Sequence, residues 1–335
     1  MKKGKSINIK KILGIFAIPV GTFLITLLLC TAKGVVLFET EGNRILFFRA
    51  AASVMLTTFA LSINLNSGRF DFSIGAISLL SSVISADICM KAGLGWGVML
   101  FLSVVSGALL GMLSGLAYVL VKLPPIIVSL GVTLFYEGAA FALTNGYGVS
   151  FVANEKLTAF PDAGRYLFLM LAALAVMIFL FDHTQFGYEY KALASGQKVA
   201  VNTGIREIPN AVACYLIAGA MMGAVGFISA TNTGTIQMAL NFGSIGVMFT
   251  AFLPMFIGGF IGRFCNEKAG YLLGAVTTAF LSLAYARLDV DSSIQQITTA
   301  LVLVGFLIYL NNEDKVVEWK MLKNRLARKN KADKT

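Results

Sequence analysis

Glu137 is an ionisable residue inside an apolar run, and Asp71 stands at the start of another. Burying a charge in such a setting is costly, so each invites a functional reading. For Glu137 the alternatives are a carboxyl that takes part in function, coupled to proton movement for example, and a packed carboxyl paired to Arg or Lys elsewhere. For Asp71 they are a structural cap on the helix that follows, where a carboxylate meets free N–H groups, and a solute contact. Around them stand neutral donors and acceptors. Ser129, Thr133 and Tyr136 fall on one side of a helix by their spacing, and Asn64, Asn66 and Asn232 follow two other apolar runs or lie at their ends. Such groups suit a neutral polar solute such as a sugar, and equally suit bonding between helices; Asn64 and Asn66 either satisfy broken backbone or line a path. Bond-making chemistry is not offered. His183 is the only histidine, the cysteines Cys30, Cys89, Cys214 and Cys265 are scattered singly, and no Gly-x-x-x-x-Gly-Lys-Ser/Thr string occurs. No catalytic residue, metal site or nucleotide site of the chain's own is therefore expected.

The elements that must hold these residues are membrane spans. Hydrophobic residues make up 57% of the 335 and charged residues 13%, far from an ordinary soluble domain. Ten apolar runs, near 12–32, 45–64, 72–91, 96–121, 126–145, 165–182, 208–230, 243–262, 270–287 and 294–311, are each long enough to cross roughly 30 Å of hydrocarbon as helix. The first run follows Lys2, Lys3, Lys5, Lys10 and Lys11; it is long for a signal core and no Ala-x-Ala-like site follows, so it reads as a retained span. Ten spans place both termini on one side. With that side cytoplasmic, most of the 27 Lys and Arg fall inside, which predicts N-in, C-in. The expectation is one all-α integral membrane domain over 1–335, with a cytoplasmic N-tail at 1–11, a polar cytoplasmic segment at 183–207 and a basic C-tail at 312–335. An inside-facing basic tail explains the last without a nucleic-acid partner.

Glycines recur four residues apart at Gly107/Gly111/Gly115, Gly219/Gly223, Gly258/Gly262 and Gly270/Gly274, each set on one helix face where helices can approach closely. An internal repeat is visible too. Asn66-Ser-Gly68 then Ser73-Ile-Gly75 is echoed by Asn232-Thr-Gly234 then Ser244-Ile-Gly246. Five spans separate the copies, and an odd offset inverts one relative to the other, the arrangement found in transporters whose solute lies near the repeat interface. The segment from Thr184 to Arg206 is predicted to hold a short helix, Tyr188 to about Val201, stopped at Gly204. A transporter driven by a separate motor subunit needs such an element for the motor to grip.

Several of these strings together resemble the ribose-type sugar permeases of ATP-binding-cassette importers. Gly68-Arg-Phe-Asp71-Phe-Ser73-Ile-Gly75 is similar to that family's Gly-Gly-Ile-Asp-Leu-Ser-Val-Gly element. Leu123-Pro-Pro-Ile-Ile-Val-Ser129-Leu-Gly131, continuing to Tyr136-Glu-Gly138 and Leu143-Thr-Asn145-Gly146, resembles its fifth span. Thr184-x-Phe186-Gly187 through Gly196 to Thr203-Gly204-Ile205 resembles its coupling region, and Gln295-Gln296-Ile297 opens the last span as in the family. The resemblance implies a cobalamin-importer-like permease fold with two inverted repeat units, in a bacterial plasma membrane. It implies a dimer with a second permease subunit, identical or different, a cytoplasmic ATPase that carries the ATP and Mg, and an extracytoplasmic sugar-binding protein. Phe186, Gly187, Gly196, Gly204 and Ile205 would form the ATPase-coupling element. Arg69 replaces the family's second glycine, Glu137 stands where an Arg is usual, and Gln197-Lys198 replaces an acidic pair; these leave the solute open, a pentose or hexose, a nucleoside or a signalling molecule. An ion-coupled secondary carrier is the other transport class, but it would place more acidic residues mid-span than Glu137 and Asp87. An intramembrane enzyme would need a nucleophile or metal constellation.

Overall fold

The computed structural model describes residues 9–312. Residues 1–8 and 313–335, which hold most of the two expected basic tails, lie outside the described residues. The helices are α1 (Ile9–Ala32), α2 (Glu41–Leu65), α3 (Ile74–Ala92), α4 (Trp96–Val121), α5 (Pro125–Leu143), α6 (Glu155–Thr158), α7 (Ala163–His183), α8 (Gln185–Asn202), α9 (Glu207–Thr233), α10 (Gly246–Phe249), α11 (Phe252–Gly262), α12 (Glu267–Arg287) and α13 (Ser292–Asn311). Two short strands, β1 (Val149–Ser150) and β2 (Thr235–Ile236), pair antiparallel, and Gly243–Ile245 form a 3-10 turn. Among the described residues ten segments are long and apolar enough to span a membrane, in the order and near the bounds the hydropathy predicts. Nine are single helices. The eighth, expected as one helix over 243–262, is instead broken into the 3-10 turn, α10 and α11 with a turn at residues 250–251.

Residues up to Leu288 form one compact unit and Asp289 begins a second. In the second, α13 is capped by Asp291, which accepts the Ser293 N–H at 2.7 Å, while Gln295 Nε2 donates to the Val290 carbonyl at 2.8 Å. In the first, glycine faces set the closest packing. A Cβ on Gly107 would lie 2.4 Å from the Gly219 carbonyl, and one on Gly223 would lie 2.1 Å from the Ser103 carbonyl, so α4 and α9 touch backbone to backbone. Ser103 Oγ adds a hydrogen bond across this seam to the Gly223 carbonyl, 2.8 Å. The same logic joins α11 to α12, where a Cβ on Gly270 would meet the Gly258 carbonyl at 2.3 Å. In a membrane, where lipid competes equally for apolar side chains, such close contact is a main source of helix association. Cys30 and Cys89 are buried thiols in the apolar core, the filler role their isolated positions predict, whereas the buried Cys214 accepts from Arg69 at 3.6 Å and donates to Asn210 at 3.7 Å.

The two ends of the bundle differ. One carries α8, the C-terminus of α2 and the N-terminus of α12: Tyr190 reaches the end of α2, and Asn66 donates to Glu267 at 3.1 Å. The other carries the β1–β2 pair and Arg287, which bonds Glu39 and the Val36 carbonyl. The 146–164 connector lies there and is packed rather than loose, with Phe151, Leu157 and Phe160 buried and the Phe160 ring 5.3 Å from Trp96.

Candidate translocation path and coupling element

The chain breaks between α2 and α3, and its polar groups gather there. Asn64, 1% exposed, donates through Nδ2 to Asp71 Oδ2 at 3.4 Å, and its Oδ1 is buried without a partner. Asp71 Oδ1 accepts from the Ser73 N–H at 2.8 Å and from Ser73 Oγ at 2.7 Å. The N–H it holds thus belongs to the residue before α3, in an Asx turn that ends the break. Burial pushes the Asp71 carboxyl above the usual carboxylate range, and the two bonds from Ser73 pull it back. Ser73 Oγ lies 3.4 Å from Ser114 Oγ on α4, which lies 3.2 Å from Tyr136 OH on α5. Tyr136 donates to the Leu110 carbonyl at 2.7 Å. A polar seam therefore runs from the α2–α3 break through α4 to α5, with Asn64, Asp71 and Tyr136 on it.

Glu137 follows Tyr136 and faces the second break. Its Oε2 accepts the Phe242 N–H at 3.0 Å; its Oε1 accepts the Ser244 N–H at 2.9 Å and Ser244 Oγ at 2.6 Å. Its partners are backbone N–H groups and a hydroxyl, not the Arg or Lys one reading anticipated. The two repeat strings share this device. In each, the serine of Ser-Ile-Gly gives both its N–H and its hydroxyl to one carboxylate oxygen: Asp71, two residues upstream, for Ser73, and Glu137, from another helix, for Ser244. In each, the preceding Asn-Ser/Thr-Gly ends in a left-handed glycine, Gly68 (φ +74°) and Gly234 (φ +67°). The two Ser-Ile-Gly turns also touch, since a Cβ on Gly75 would lie 2.0 Å from the Ser244 carbonyl.

The other expected path residues are not on this seam. Ser129 and Thr133 are buried but spend their hydroxyls on carbonyls of α5 itself, Ile126 at 3.0 Å and Ser129 at 2.7 Å. Asn66 turns to Glu267 and Tyr271, both at 3.1 Å. Asn232 is exposed at the opposite end, beside β2. Near that end lies a cavity of about 300 Å³ between the last turns of α3 and α5, lined in part by Asp87, Thr144 and Ser150. Ser114 escaped the sequence reading because it sits among the α4 glycines and looked like packing.

The 183–207 segment folds as α8, longer than the predicted 188–201 and bent at Gly196 (φ 176°, ψ 84°). Gly187 packs where a Cβ would meet the Phe181 carbonyl at 2.3 Å, and the Phe186 ring lies 5.3 Å from that of Phe181. Asn210 Nδ2 donates to the Phe186 carbonyl at 3.3 Å, and Lys191 pairs with Asp182 at 2.7 Å. Gly204, at φ +95°, turns the chain out of the helix, and the Ile205 N–H closes that turn on the Ala200 carbonyl at 3.2 Å. Beyond Gly196 the helix offers exposed Gln197, Lys198 and Val199. Tyr190, which sequence reasoning did not single out, is buried beneath it; its spacing from Phe186 and Leu193 marks the inward face.

Ten spans, two inward-facing helix breaks and a structured polar helix between spans define a multi-pass membrane protein of the transport class. Residues 45–311 match the family described as branched-chain amino acid transport system / permease component, and the chain belongs to that family. Among its relatives is the galactofuranose transporter permease protein of Escherichia coli, 24% identical over 82% of this chain and 77% of that protein. The autoinducer 2 import system permease proteins of Photorhabdus laumondii (23%; 87% of each chain) and Yersinia pseudotuberculosis (22%; 84% of this chain and 81% of the relative) are similar as well. No solved structure matches the chain significantly.

Proposed function

We propose that this permease is the membrane subunit of an ATP-binding-cassette importer that carries a small neutral sugar. The observation that carries the reading is α8, a polar helix fixed at one end of the bundle with its second half exposed, in a chain with no phosphate-binding loop. A cytoplasmic ATPase would dock there and hold the ATP and Mg. A second permease subunit would complete the path, and an extracytoplasmic protein would deliver the solute to the end that carries the 300 Å³ cavity. This orientation puts both termini in the cytoplasm of a bacterial plasma membrane. Apart from Asp71, the seam residues Asn64, Ser73, Ser114 and Tyr136 are neutral donors and acceptors of the kind a polyol uses, and the galactofuranose permease among the relatives supports a sugar. The autoinducer 2 permeases favour one variation, a small signalling molecule in place of a nutrient.

The test is ATP turnover by the tagged chain, alone and with an ABC ATPase expressed beside it. The expected result is no hydrolysis by the chain alone and a stable complex with the ATPase. Robust turnover by the purified chain alone would contradict the reading.

A further inference from the structure

The hydrogen bonds that fix α8 mostly lead to its immediate neighbours in sequence. Lys191 holds Asp182 on α7, Gln197 holds Glu207 on α9, and the Phe186 carbonyl is held by Asn210 on α9. Tyr190 is different. Its OH donates to the Ile63 carbonyl at 3.0 Å, with the Ser62 carbonyl at 3.5 Å, in the last turn of α2. Among the described residues these are the hydrogen bonds from α8 to α2. The phenol is 7% exposed and its ring stands edge-on to Phe181 at 4.9 Å. Burial also keeps the hydroxyl protonated, and so a donor, by raising its pKa.

The position of that contact matters. Ile63 precedes Asn64, the first member of the seam that continues through Asp71, Ser73 and Ser114 to Tyr136. Displacing the end of α2 along the bundle moves Asn64 against Asp71 and hence the turn that opens α3. A buried hydrogen bond to backbone transmits displacement with little slack, whereas a solvent-exposed ion pair such as Lys191–Asp182 exchanges with water. Gly196 bends α8 beyond this contact, so the part bearing Tyr190 is one rigid piece of about three turns.

We propose that Tyr190 is a positioning residue for transport: its hydroxyl is the joint that passes movement of α8 to the α2–α3 break. The proposal rests on the reading of α8 as the element an ATPase grips.

The test is Y190F in the complete complex with its second permease subunit and ATPase, reconstituted in lipid vesicles with the delivery protein, reading uptake per ATP hydrolysed of the labelled pentose or hexose that the wild-type complex carries. The variant keeps the ring and loses only the donor. The expected result is an assembled complex with near wild-type hydrolysis and a ratio lowered by about fivefold or more, the usual scale of an energetic coupling between sites. The ratio is read per assembled complex, so reduced yield does not move it. F181L, which loosens the same aromatic cluster without touching the hydroxyl, is expected to keep the wild-type ratio. An unchanged ratio in Y190F, or an equal loss in F181L, would overturn the proposal while leaving the importer reading intact. A wild-type chain that holds no ATPase would overturn the reading and this inference with it.

Discussion

Glu137 shows how one carboxylate can organise backbone. Asn241 and Phe242 both adopt left-handed φ, +56° and +67°, a conformation that costs non-glycine residues of order 1–3 kcal/mol each. The Phe242 and Ser244 N–H groups that this geometry exposes both point at Glu137. Removing the acceptor leaves the buried Ser244 N–H and the partly buried Phe242 N–H unpaired, and bonds to a charged acceptor are worth about 1.5–3 kcal/mol each. Glu137→Ala is therefore expected to lower stability by roughly 3 kcal/mol or more, seen as a marked fall in the thermal midpoint in detergent. Ser244→Ala, which loses one of the three bonds, is expected to cost about 1 kcal/mol. A Glu137→Ala protein as stable as wild type would remove the carboxylate from this role. The sequence marked Glu137 as unusual but not its partners, because Ser244 is distant in the chain and backbone N–H groups have no sequence signature. Asp71 was expected to cap the helix that follows, but the N–H it holds is that of Ser73, the residue before α3.

At the scale of elements, glycine carries most of what was legible. The four-residue spacing on α4, α9, α11 and α12 predicted close approach, and the contacts pair the α4 set with the α9 set and the α11 set with the α12 set. Gly219→Leu is expected to separate α4 from α9 and abolish folded yield, since the Gly107 carbonyl occupies the space a side chain would need; monodisperse protein from this variant would contradict the packing. Gly204→Val is predicted to act differently. No atom lies near its missing side chain, so the penalty is the left-handed backbone alone, about 1–2 kcal/mol. The bundle should insert normally while solute uptake falls, checked by comparing surface expression with transport. Normal uptake would exclude the α8 turn from coupling. The break in the eighth span interrupts a continuous apolar run over 243–262; its mark in the sequence is Pro254, which cannot donate to the Thr250 carbonyl four residues back and so sits in the first turn of a new helix. A contact made by a distant helix, Glu137 on α5, decides the conformation at its start.

For the whole molecule, two related breaks meet at Gly75 and Ser244, one opening from the α8 end and the other approached from the β1–β2 end. The short repeat strings share a serine–carboxylate geometry, supplied by Asp71 from within the first string and by Glu137 on α5 for the second. It also assigns the expected path residues unequally. Asn64 and Tyr136 lie on the seam, whereas Asn66 and Asn232 lie at opposite ends of the bundle. Neither hydropathy nor motif spacing could show this, because both report where a residue lies along a helix but not what faces it. The energy source remains the central claim. It is tested most directly by uptake into sealed vesicles that contain the chain, its ATPase and its delivery protein, offered a panel of neutral pentoses and hexoses with internal or external ATP and with or without a proton gradient. The account predicts uptake of one such solute that requires ATP on the α8 side and is indifferent to the proton gradient. Uptake that proceeds without ATP and follows the proton gradient would contradict it.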